Sequence, residues 1–71
     1  RASVIAQAGR LLIVGWPDRC VSVDPEERIV YPVTSMAVLM KFSEYQLPTA
    51  SKELQALALK LAAPALSAPT Q

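Results

Sequence analysis

Histidine does not occur in this 71-residue sequence, and cysteine occurs once, at Cys20. Without histidine, neither a Ser-His nor a Cys-His nucleophile pair can form. A single cysteine cannot close an internal disulfide, and no carboxylates cluster with it at the spacing of zinc ligands. We therefore expect no catalytic residues, no metal site and no cofactor, and the chain is predicted not to be an enzyme. One free cysteine also favours a reducing intracellular compartment.

Charged residues are scarce at 18% of the chain, whereas hydrophobic residues make up 52%. The net charge of +1 is too small to predict a basic surface that would attract nucleic acid, so a nucleic-acid partner is not expected. The longest nearly uncharged stretches, 11–17 and 29–40, are shorter than the about 20 apolar residues that cross a bilayer, so no transmembrane segment is predicted. The isolated glycines form no phosphate-binding loop, and no small-molecule substrate is evident.

Small size and high apolar content together predict a partner. A core in a chain of this length supplies only about 3–5 kcal/mol, and small chains usually add a disulfide, a metal or an oligomeric contact. Because the first two are not expected, apolar surface should remain for a protein partner or another copy of the chain. The chain begins with Arg1 rather than Met, so we expect a processed chain or a fragment of a larger protein.

The domain is predicted to be a small α+β unit over residues 1–64, by itself or within a larger assembly, followed by an Ala/Pro/Ser-rich flexible tail over 65–71. Arginines stand nine residues apart at positions 1, 10, 19 and 28, and the last three each open an apolar run that ends at a turn signal. This spacing predicts a three-stranded antiparallel β-meander over roughly residues 10–33. Its first strand, 11–16, is apolar on both faces and should be central or fully covered. The third strand should be an edge strand or should bend at Pro32, which lacks an N–H.

The register of the last two strands is predicted from burial. Pairing Val21 with Tyr31 places the apolar residues of both strands on one face, whereas pairing Val21 with Val30 divides them between two faces. We expect the first arrangement, which needs a five-residue loop with a bulge at Glu27 or Arg28.

Two segments outside the meander are ambiguous. Residues 2–8 favour a short helix that ends at Gly9, although a strand is nearly as compatible with so short a piece. Residues 35–45 favour a second helix because of their Ala, Leu, Met, Lys and Glu content, although their apolar alternation also fits a strand.

The clearest helix covers about residues 50–63. Thr49 or Ser51 is its predicted N-cap, and Pro64 is its predicted end. It is expected to pack on the sheet through three leucines at helical spacing, namely Leu54, Leu57 and Leu61.

The predicted function is that of a non-catalytic structural or assembly subunit, or a protein-protein interaction module. Trp16, Tyr31 and Leu59 are its candidate partner-binding residues. Aromatic side chains dominate interface energetics, and Leu59 lies outside the helix stripe that is predicted to face the core.

The alternative is a small nucleic-acid-binding regulator that uses Arg10, Arg19 and Arg28 on phosphate. A meander places Arg10 and Arg28 at one end of the sheet and Arg19 at the other, which argues against one continuous basic patch. An enzyme would need Cys20 as nucleophile, but its strand neighbours predict a buried structural cysteine.

Overall fold

The part of the chain that the structure describes forms an antiparallel sheet with a helix on one face. The computed structural model describes residues 1–33 and 46–67. The strands are β1 (Ser3–Ala8), β2 (Leu11–Trp16), β3 (Arg19–Asp24) and β4 (Ile29–Val33), in that order across the sheet, and the helix is α1 (Lys52–Ser67). The predicted α+β meander with a packed C-terminal helix is therefore confirmed, with a fourth strand added. The helix predicted at 35–45 lies outside the described residues. Among the residues that are described, no helix is both long and apolar enough to cross a membrane.

The fourth strand is β1, in the segment where a short helix is predicted. Ala8 pairs with Leu11, so the β1–β2 hairpin closes in two residues, and Gly9 takes a φ of 60° within it. Glycine reaches this backbone region without the steric cost that other residues meet, and short hairpins require it. The prediction of a helix is wrong because pairing with the apolar strand β2 outweighs the helix propensity of the Ala and Gln residues in this segment.

Strand β2 is central and buried on both faces, as predicted. Leu12 and Val14 contact the helix-side core, whereas Ile13 belongs to a second cluster on the opposite face. A bulge shifts the β1–β2 register and lets Ile5 lie over Gly15, where an added Cβ would come within 2.9 Å of the Ile5 Cδ1. Position 15 therefore has no room for a larger residue unless Ile5 moves.

The register of β3 and β4 differs from the prediction by one residue. Val21 pairs with Pro32 and Val23 pairs with Val30, so Val30 faces the helix and Tyr31 faces the opposite side. The prediction assumed that a single face is apolar, but both faces of this sheet carry buried apolar residues, so burial alone does not select the register. Within residues 1–33 and 46–67, β4, which contains Pro32, is the last strand of the sheet, consistent with the edge position predicted for it.

Helix α1 starts at the predicted cap but ends later than predicted. The Ser51 Oγ accepts a hydrogen bond from the backbone N–H of Leu54 at 3.2 Å, which is N-cap geometry. Pro64 lies inside the helix, which continues to Ser67 and so takes in the first residues of the predicted tail. Proline lacks the N–H that would bond to the carbonyl four residues earlier. Burial of Leu66 beyond it offsets this loss.

The helix face that contacts the sheet is not the predicted leucine stripe. The fully buried residues of the helix are Ala58, Ala62 and Leu66. Leu54 is 40% exposed and Leu57 is half-buried, whereas Leu61 is half-buried and packs against the edge of the buried cluster. Ala58 and Ala62 let the helix backbone approach the sheet closely, and Leu66 is the one leucine of the described helix that is fully buried in the contact.

Gln7 joins the β1 edge to the segment that precedes the helix. Its backbone exchanges two hydrogen bonds with Gln46, at 2.8 and 3.0 Å. Its side-chain Oε1 accepts from the backbone N–H groups of Thr49 and Ala50, and its Nε2 donates to the Gly9 carbonyl. One polar side chain therefore anchors both the β1–β2 turn and the start of the helical segment.

Candidate interaction surface

Large hydrophobic side chains remain exposed at several places on the described surface. Three lie on the sheet, one on α1, and one in the segment before it. They are Trp16 at 40%, Ile29 at 40%, Tyr31 at 42%, Leu54 at 40% and Leu47 at 81% exposed.

Strand β4 brings two of these side chains together. Ile29 and Tyr31 stand two residues apart, so strand alternation puts both on the sheet face away from α1. Among the described residues β4 pairs only with β3 and is the last strand of the sheet. The neighbour of Tyr31 across the strands is Ser22, which is 7% exposed. The Ser22 Oγ is buried without a hydrogen-bond partner in the described part of the chain.

The three predicted partner-binding residues do not come together. By strand alternation Trp16 lies on the face of Leu12 and Val14, opposite to the face that carries Tyr31. Leu59 is half-buried and packs against the helix-side core, contrary to its expected place outside the buried stripe. Ile29 is not among the candidates from the sequence. The predicted register puts Ile29 and Tyr31 on the face of Val21, whereas the observed register puts both on the opposite face.

A network of charged groups holds the β3–β4 turn beside the β1–β2 turn. The Arg10 Nη2 lies 2.8 Å from the Asp24 Oδ2 and 3.2 Å from the Glu27 Oε2, and the Arg10 Nη1 lies 3.7 Å from the Glu26 Oε1. The Asp24 Oδ1 accepts hydrogen bonds from the backbone N–H groups of Glu26 and Glu27. Arg28 completes the turn with a φ of 58°. Asp24 therefore organises a four-residue loop without the predicted bulge.

The surroundings of Asp24 favour its charged form. Burial of the carboxyl acts to raise its pKa, since charge is disfavoured away from water. Hydrogen bonds from the backbone N–H groups of Glu27 and Glu26, together with the Arg10 guanidinium, outweigh that effect and lower the pKa below its ordinary value. The 2% exposed Asp24 thus remains a carboxylate that links two turns.

The arginines of the meander are mostly engaged by acids. Arg10 contacts three carboxylates, and the Arg19 Nη2 lies 3.1 Å from the Asp18 Oδ2 at the other end of the sheet. Arg28 is exposed and follows two glutamates in the same turn. This distribution gives the three arginines no common surface.

Cys20 lies on the face of Ile13 and is only 4% exposed. Burial raises the pKa of its thiol, so the reactive thiolate is disfavoured. No group of three or more potential metal ligands occurs within residues 1–33 and 46–67. No protein-family model, curated protein or solved structure matches this chain.

Proposed function

We propose that this chain is a non-catalytic assembly subunit that buries the exposed face of β4 against another copy of itself or a partner chain. The observation that carries the proposal is the pair formed by Ile29 and Tyr31, each about two-fifths exposed on one face of β4, the last strand of the sheet in the described part of the chain. Val30 of the same strand packs against the helix-side core, so β4 contributes to the core while Ile29 and Tyr31 stay partly exposed. Tyrosine is enriched at interface centres, where it combines large area with a polar group.

The chemistry of the described residues supports a binding role over a catalytic one. The one thiol is buried in a strand with a raised pKa. The acids of the β3–β4 turn are held by Arg10 and by backbone N–H groups, which leaves no free pair at the spacing of a general acid and base.

The second hypothesis is that the chain is a small nucleic-acid-binding regulator. We rank it lower because Arg10 and Arg19 already contact carboxylates, which would have to be displaced before phosphate could bind. Phosphate binding would weaken steeply as salt rises, whereas an apolar contact through β4 would not, so a binding titration across salt separates the two.

Self-association can be tested by sedimentation velocity over a concentration series. Tyr31→Thr keeps a residue that favours strands but removes the aromatic ring. Leu47→Thr, which changes a more exposed side chain outside the sheet, is the matched control. We expect Tyr31→Thr to raise the dissociation constant at least about tenfold, the effect of losing an interface hot spot, while the control stays near wild type.

The thermal midpoints of both variants separate assembly from folding. Each side chain is substantially exposed, so neither change should unfold the chain. A wild-type chain that remains monomeric at every concentration would exclude self-association. Equal weakening by both variants would show that β4 is not the contact.

A further inference from the structure

We draw no further inference here: the strongest candidate, the surface patch formed by Ile29 and Tyr31 beside Arg28 at the β3–β4 turn, carries nothing because nothing in the described residues shows what covers it.

Discussion

Leu66 should be essential to the stability of the domain. It is 4% exposed and lies on α1 beyond Pro64, where it fills the helix-side core. Truncating a buried leucine to alanine costs about 2–5 kcal/mol, because apolar contact is lost and a cavity remains. The whole core of so small a domain supplies about 3–5 kcal/mol. Leu66→Ala should therefore leave the chain largely unfolded, or lower its thermal midpoint by more than about 10 °C.

Leu54→Ala is the matched control, since it makes the same chemical change on the same helix. Leu54 is 40% exposed, and alanine has the better helix propensity, so the expected cost is about 1 kcal/mol or less. Urea unfolding followed by far-ultraviolet circular dichroism gives both free energies. The measurement should be made at several protein concentrations, because self-association would add apparent stability.

The pair of variants distinguishes two ways of packing the helix. If α1 contacts the sheet through Ala58, Ala62 and Leu66, the loss at position 66 exceeds the loss at position 54. If it packs through the leucine stripe predicted from the sequence, the order reverses. A Leu54→Ala variant as unstable as Leu66→Ala would refute the placement of the helix.

Three further changes test single contacts by urea unfolding. Ser51→Ala should lower the free energy of unfolding by about 1 kcal/mol, because the side chain that accepts the N-cap hydrogen bond is lost. Ser51→Thr should keep most of that stability, and an unchanged free energy in Ser51→Ala would contradict the N-cap role. Ser22→Ala should raise the free energy of unfolding by about 1 kcal/mol, because the buried Ser22 hydroxyl has no hydrogen-bond partner among the described residues. A lower free energy of unfolding in the variant would show that the hydroxyl does have a partner. The folded pKa of Asp24 lies below the unfolded value of about 3.9, so its contribution is present above that value and is lost as pH falls through the folded pKa. Asp24→Asn should therefore lower the stability of the chain at neutral pH and make its stability fall less steeply as the pH is lowered. An unchanged dependence of stability on pH below neutrality would contradict the stabilising role of the Asp24 carboxylate.

The parts of the fold that could be predicted are those where one local signal dominates. A run such as Leu11–Trp16, apolar on both faces, has a stable place only at the centre of a covered sheet. The hairpin between Trp16 and Arg19 follows from Pro17 and Asp18, and Ser51 is a good N-cap in any context. These features depend on a few neighbouring residues, so the order of the other elements hardly affects them.

The predictions that failed depend on which of two similar faces is buried. Residues 2–8 carry small and β-branched residues that suit a helix or a strand, and the hairpin with β2 decides between them. On α1, leucines and alanines occupy neighbouring positions, and the space available above the sheet selects the smaller residues for the closest contact. Neither choice can be read from periodicity alone, because both alternatives satisfy it.

Which side chains of β4 are exposed could not be predicted either, because two registers of this strand fit its sequence almost equally well. Four of its five residues are Ile, Val or Tyr and the fifth is proline, so its hydrophobic pattern is nearly the same in either register. The turn decides the register. The Asp24 carboxylate accepts hydrogen bonds from two backbone N–H groups, and Arg28 adopts the left-handed backbone conformation that closes the loop. Polar contacts at one end of the hairpin thereby determine that Tyr31, rather than Val30, is presented on the outer face. The residues that would meet a partner are thus selected by the chemistry of the turn, at positions that the apolar pattern cannot distinguish.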